Sequence, residues 1–290
     1  MDVKIIPTSR DSHMAYVTKD ELVAEFRDTK NYYEADPVLI EAVESTNART
    51  KVYPVDFSEE VEAKKDGRVR VEIGRTFERA IALSKEFPGK RIAVLNFAAS
   101  THPGGGVKKG SYAQEESLCR CSTLYPSLLT DYAMKRFYYY HIENCDWRAS
   151  DTCIYSPDVV IVRDDKYLLC DRLRPSDFVK LDVITCAAPH VFREIEVSDE
   201  DLYSMHVSRA KNILRVAAYN GVDIFVSGAF GCGAFHNDPK LVARAWHEAM
   251  KEYGGKFDLI DFVIYVSDFE AIRYRGETSL HAFRNEFAGE

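Results

Sequence analysis

Two adjacent carboxylates, Glu115 and Glu116, close a stretch that reads NFAASTHPGGGVKKGSYAQEES over residues 96–117. Like charges at such close range push one pKa upward, as a general acid requires. Three consecutive glycines, Gly104, Gly105 and Gly106, precede them, with a fourth at Gly110. Glycines in a row lose much chain entropy on folding and pack no side chain. They suit a place where the backbone turns sharply and comes within hydrogen-bond reach of a ligand. Their N–H groups, together with the N-terminus of a following helix, can cradle phosphate or sugar oxygens. The glycines alone fit a surface hairpin equally well, and Gln114-Glu115-Glu116 tips the reading towards a ligand site.

A second glycine loop, Ser227-Gly228-Ala229-Phe230-Gly231-Cys232-Gly233-Ala234-Phe235, lies further along. A strand expected over residues 222–226 delivers it. Asp238 and Pro239 end it as helix cap and first helical residue. One Gly-x-Gly is weak evidence, but two loops in the same strand–loop–helix setting form an anion-binding arrangement, with a diphosphate as the natural candidate. Neither loop contains Gly-Lys-Ser or Gly-Lys-Thr, which disfavours a P-loop enzyme. Phe235 either anchors its turn or packs on a ligand. Cys232 and His236 lack an orienting partner for nucleophilic catalysis, and His190 is read as structural in preference to catalytic.

Triple glycine, seven residues and then Gln-Glu-Glu resembles the signature of poly(ADP-ribose) glycohydrolases. With Asn96-Phe97-Ala98 before it and Glu116-Ser117-Leu118 after it, the string is most similar to the microbial-type branch. Further similarity lies in Tyr155-Ser156-Pro157, Arg163-Asp164-Asp165, residues 185–189 and the GAFGCGAF string of the second loop. The resemblance covers roughly residues 90–270. It implies an α/β fold, a macrodomain-like three-layer α/β/α mixed sheet with a helical N-terminal extension. It also implies hydrolysis of the ribose–ribose O-glycosidic bond of poly(ADP-ribose), releasing ADP-ribose.

Carried over by motif position, Glu116 is the catalytic carboxylate and Glu115 and Asn96 hold the distal ribose. Gly104, Gly105 and Gly106 approach the ligand, with Val107 and Gln114 beside them. Ser227, Gly228, Ala229, Gly231, Cys232, Gly233 and Ala234 close on the diphosphate from the other side, and Phe235 packs on ribose or base. No cofactor or metal is expected. Ala99 departs from the animal enzymes, which carry Asn there, and His102 also lies where polar residues vary. Two alternatives stay open: a hydrolase of mono-ADP-ribose on protein or nucleic acid, and a macrodomain that only binds ADP-ribose.

The elements that must position these loops form a chain of 290 residues, 46% hydrophobic and 12% aromatic, enough for a substantial core. A net charge of −8 argues against general nucleic-acid binding. Seven cysteines, an odd number with no CxxC pair, favour a reducing compartment, and Cys119-x-Cys121 reads as core packing ahead of metal binding. No secretory signal or membrane-length apolar run is seen, so a cytoplasmic protein with no membrane partner is expected.

Residues 1–90 read as a helical accessory region packed on a catalytic domain at 91–290. Helical spacing occurs at 20–26 and 37–43, short strands at 51–55 and 69–73, and Thr76 is expected to cap a helix ending before Pro88-Gly89. A buried strand at 92–95, a helix at 113–121 and an aromatic-rich helix at 131–141 follow. Strands are expected at 154–155, 159–162, 167–169 and 179–185. Ser198 should cap a long helix stopped by Asn220-Gly221, and a strand at 259–266 and a helical stretch at 269–274 close the chain.

Overall fold

A computed structural model describes residues 3–4, 16–58, 67–192, 195–265 and 278–289. In chain order the elements are β1 (Val3–Lys4), β2 (Tyr16–Val17), α1 (Lys19–Ala35), α2 (Pro37–Arg49), β3 (Lys51–Tyr53), β4 (Arg68–Ile73) and α3 (Thr76–Glu86). Then come β5 (Ile92–Phe97), α4 (Gln114–Cys121), α5 (Leu124–Leu128), α6 (Asp131–Ala133), α7 (Tyr139–Asn144), β6 (Cys153–Ile161), β7 (Arg163–Asp164) and β8 (Asp171–Arg172). The last are β9 (Val179–Cys186), α8 (Asp199–Tyr219), β10 (Ile224–Ser227), α9 (Pro239–Tyr253), β11 (Leu259–Ile264) and α10 (Ser279–Glu286).

Seven strands form one mixed sheet in the order β3-β6-β9-β5-β10-β11-β4. β9, β5, β10, β11 and β4 run parallel, and β6 lies antiparallel to β9 and β3. β5, β10 and β11 are near-continuous apolar runs because helices cover both faces, whereas β4, at the edge, alternates Val69 and Val71 with charged residues. Ala93, Leu95, Phe225, Ile260 and Phe262 pack with residues of α8, α9 and α10. Ile92, Val94, Ile224, Val226 and Val263 point the other way, to a core shared with α3, α4 and α5. The three expected layers follow from this alternation.

Helix ends obey local chemistry where a cap is close in sequence. Ser198 accepts from the Asp201 N–H at the start of α8, and Asp238 accepts from the Lys240 N–H, with Pro239 first in α9. Asn220 ends α8, and Gly221 follows in the left-handed region at φ +75°.

β3 and β4, from the region before residue 90 that was expected to pack as one unit with the rest, form the two edges of the sheet. Several expectations need correction. Thr76 does not cap α3; it is the first helical residue. The cap comes from Asp165, which accepts from the N–H groups of Phe77 (3.1 Å) and Glu78 (2.6 Å). Residues 167–169 form a bend between β7 and β8, not a strand. The helix expected at 131–141 is α6, a π-helical turn over Met134–Tyr138, and α7. It buries Phe137 and Tyr138, while Tyr139 and Tyr140 stay exposed. The stretch at 269–274 lies outside the described residues. Among those residues no helix is long and apolar enough to cross a membrane.

Asp165 is buried, which pushes its carboxyl up to about 6 despite the two N–H donors. Asp165→Ala is expected to lower unfolding free energy by about 1–2 kcal/mol through loss of the cap. Asp165→Asn, which keeps an acceptor, should lose less. Urea denaturation measures both, and equal losses would show that the cap is not the cause.

Candidate active site

β9, β5 and β10 are neighbours, and their carboxyl ends release three loops side by side, over residues 187–192, 98–113 and 228–237. A crevice outside the carboxyl ends of parallel strands is where such sheets place ligands.

The first glycine loop folds back over the first turn of α4. Gly104 and Gly105 take φ of +71° and +58°, in the left-handed region that glycine tolerates. A Cβ on Gly105 would lie 2.4 Å from Glu116 Oε1 and 3.0 Å from Glu115 Oε2. One on Gly104 would meet the Tyr125 ring at 2.8 Å, and one on Gly106 the Ser111 hydroxyl at 2.2 Å. The loop's N–H groups are directed inward: Gly105 donates to the His102 carbonyl (2.8 Å) and Gly106 to Glu116 Oε1 (2.7 Å). Close backbone approach was expected, but what the triple glycine approaches here is the carboxylate pair.

Glu115 is 3% exposed and both its oxygens are engaged. Oε2 accepts from the Ala99 N–H at 2.8 Å, and Oε1 faces Asn96 Nδ2 at 3.4 Å. Burial, with the neighbouring Glu116 adding to it, pushes the Glu115 carboxyl up to about 8. Asn96 also donates to Thr185 Oγ1 at 3.1 Å, which ties it across β5 and β9. Glu116 differs from its neighbour. Oε1 is held by Gly106, whereas Oε2 is buried and has no hydrogen-bond partner among the described residues. Asn96 Oδ1 is in the same condition.

Two residues expected at the ligand are used elsewhere. The Gln114 side chain accepts from the Phe97 N–H (2.9 Å) and donates to the Leu95 carbonyl (2.7 Å) and Thr76 Oγ1 (3.2 Å). It braces the start of α4 against the end of β5. The Val107 side chain is buried in the core beneath the loop.

The second loop forms the facing wall. Gly228 lies against the Val263 carbonyl, where a Cβ would come within 2.6 Å. Gly231, at φ +77°, is confined by Ala188 and Asn237, whereas Gly233 has nothing within 4 Å of its Cβ direction. The N–H groups of Gly231, Gly233, Ala234 and Phe235 make no hydrogen bond among the described residues. Four amides without an internal acceptor in one loop suit an anion. Cys232 is buried with its thiol towards the Phe230 carbonyl, and Phe230 packs on Phe97, joining the two walls. Ser227 is buried at the end of β10, Ala229 is partly buried and Ala234 is exposed. Phe235 stacks on His190 with ring centroids 4.5 Å apart, and His190 in turn lies 3.9 Å from Phe192.

Sequence reasoning missed the struts behind this wall. Asn237, 1% exposed, donates to the carbonyls of Pro189 (2.8 Å) and Gly231 (3.0 Å) and pairs with His206 Nε2 (2.9 Å). Burial lowers His206 to about 4, so it stays neutral. Arg209 holds the Ala187 carbonyl at 2.7 Å and Asp151 at 2.9 Å. Their side-chain types carried no signal of this; only the position of Asn237 beside the loop did.

Residues 23–164 match the family described as microbial-type PARG, catalytic domain. No curated protein matches the chain. Among solved structures it is similar to the poly(ADP-ribose) glycohydrolase of Thermomonospora curvata, at 27% identity and TM-score 0.79, over 92% of this chain and 100% of that one. The structure of that protein bound to the inhibitor ADP-HPD matches at 27% identity and TM-score 0.75, with the same coverage. The Deinococcus radiodurans poly(ADP-ribose) glycohydrolase in complex with ADP-ribose matches at 30% identity and TM-score 0.73, over 85% of this chain and 96% of that one.

Raised from 4.5 to about 8, Glu115 contributes stability that is full below its unfolded pKa and is lost as pH climbs towards 8. Glu115→Gln, neutral throughout, should therefore gain Tm over the parent protein as pH rises, at up to about 1.4 kcal/mol per pH unit in that window. Melting curves at pH 5 and pH 8.5 test this, and a constant Tm difference would show that Glu115 titrates normally.

Proposed function

We infer the roles of the cleft residues from one premise: the chain belongs to the microbial-type poly(ADP-ribose) glycohydrolase family. Its activity is hydrolysis of poly(ADP-ribose), and it binds ADP-ribose in the cleft between the two glycine loops.

Glu116 is the reacting carboxyl in this proposal. The observation that carries it is the asymmetry of the pair. Both Glu115 oxygens are held by the protein, while Glu116 keeps one buried oxygen without a protein partner. Two buried neighbouring carboxyls resist carrying two charges, so a proton stays in the pair near neutral pH. The proton held by the pair reaches the departing ribose hydroxyl oxygen through Glu116 as the glycosidic C–O bond breaks. As carboxylate it then takes a proton from the water that adds to the anomeric carbon. Adjacent residues cannot flank one bond symmetrically, so a single residue serves as acid and then base. Glu115 and Asn96 take the hydroxyls of the distal ribose, the amides of residues 231–235 take the diphosphate, and Phe235 packs on ribose or base. With seven cysteines, six of them buried, and a net charge of −8, we place the protein in the cytoplasm and without general affinity for nucleic acid.

Glu116→Gln is expected to abolish release of ADP-ribose from the polymer while calorimetry still detects ADP-ribose binding. Normal turnover would remove Glu116 from the reaction. A parallel incubation with mono-ADP-ribosylated protein identifies the preferred substrate form. Gly105→Ala places a methyl group against Glu116, so kcat should fall about a hundredfold, as for a displaced catalytic group. ADP-ribose affinity should fall far less. Loss of affinity with kcat retained would return Gly105 to the role of a ligand contact.

A further inference from the structure

The N-terminal helix α1 lies across the catalytic loop and touches it at several points. Gly110, at φ +73°, sits so close to the Lys19 carbonyl that a Cβ there would be 2.4 Å from it. Arg120 follows Glu116 by one turn of α4 and therefore shares its side of the helix. It is fully buried and its Nε donates to Glu25 Oε2 at 3.0 Å. Its Nη1 donates to the Ser111 carbonyl at 3.0 Å, and its own carbonyl accepts from Thr29 Oγ1 at 2.6 Å. Ser111 N–H in turn donates to the Gly106 carbonyl at 3.2 Å, and Gly106 N–H holds Glu116 Oε1 at 2.7 Å. A continuous path of hydrogen bonds thus runs from Glu25 on α1 to the carboxylate of Glu116.

Glu25 is fixed from behind. Its other oxygen accepts from the Cys170 N–H at 2.5 Å, and Arg163 Nε donates to Thr29 Oγ1 at 2.8 Å. Such a buried pair contributes little net stability over apolar residues of the same volume. What this pair does supply is one fixed arrangement of α1, loop and α4.

We propose that Glu25 is a positioning residue for hydrolysis, acting through Arg120 and Ser111 to hold the loop that orients Glu116. The proposal rests on the assignment of Glu116 as the reacting group. Glu25 touches no substrate; it sets where the Gly106 N–H points, and through it the free oxygen of Glu116. An error of about 1 Å in that placement is enough for a hundredfold loss of rate. Ligand binding, carried by the opposite wall, should change little.

The test uses the full chain with Glu25→Ala, Glu25→Gln and Thr29→Val, measuring kcat and KM on poly(ADP-ribose) and Kd for ADP-ribose by calorimetry. Rates are expressed per ADP-ribose-binding molecule, so that unfolded protein does not count. Glu25→Ala should lose about ten- to a hundredfold in kcat, with KM and Kd within about threefold of the parent. Glu25→Gln, which retains an acceptor for Arg120, should recover part of the loss. If Glu25→Ala does not fold, Thr29→Val is judged by the same criteria. A folded variant with parental kcat per binding site overturns the proposal, as does a rate loss that only matches the loss of binding sites. Should Glu116→Gln remain active, the premise itself fails. An inactive Glu116→Gln beside a fully active Glu25→Ala rejects the positioning role alone.

Discussion

The cleft is governed by one constraint, the burial of two adjacent carboxyl groups at a single point. Moving a carboxylate out of water is costly unless hydrogen bonds replace the solvent. The chain meets this with backbone donors, from Ala99 to Glu115 and from Gly106 to Glu116, and with the amino end of α4, whose dipole favours negative charge there. Those donors can reach the carboxyls only if nothing stands between backbone and side chain, which is why Gly105 carries no Cβ. The triple glycine is thus first a device for two glutamates. The remaining strain is electrostatic and appears as a Glu115 carboxyl held up at about 8.

From this follows a division between the walls. The first wall turns the amides of Ala99 and Gly106 onto its own acids. The second wall has N–H groups at Gly231, Gly233, Ala234 and Phe235 that make no hydrogen bond among the described residues, and no carboxylate in the loop. In the proposed mode of binding the diphosphate sits against the second wall, away from the carboxylates of the first. Asn237 and Arg209 brace the second wall by holding the carbonyls of Pro189, Gly231 and Ala187. Fixed donors need no reorganisation when charge develops, which is the useful property in a site of this kind.

What the sequence revealed depended on how far apart the interacting groups lie. The apolar runs of β5, β10 and β11, the Ser198 cap and the Asp238-Pro239 start of α9 are local patterns and were legible. So was the cleft itself, since each glycine loop stands between its own strand and helix. Asp165 capping α3 was not, because its partners lie 87 and 88 residues away and Thr76 stood nearer as a cap of the right type. Gln114 had the composition of a ligand contact, yet its amide matches the edge of β5, and only the register of α4 against that strand shows it. That burial would raise Glu115 was equally hidden, since the burial comes from packing between distant elements.

The N-terminal segment shows the same limit most clearly. Glu25 and Arg120 are 95 residues apart, and alone each reads as an ordinary surface charge on an amphipathic helix. Placed together they are buried, and neither can be removed without leaving the other charged in an apolar setting. β3 and β4 add to this, for without them β6 and β11 would present open edges to solvent. A boundary near residue 90 would therefore cut the sheet at both edges and unpair the arginine one turn from Glu116. Sheet closure ties β3 and β4 to the rest of the described structure, and the Glu25–Arg120 pair does the same for α1.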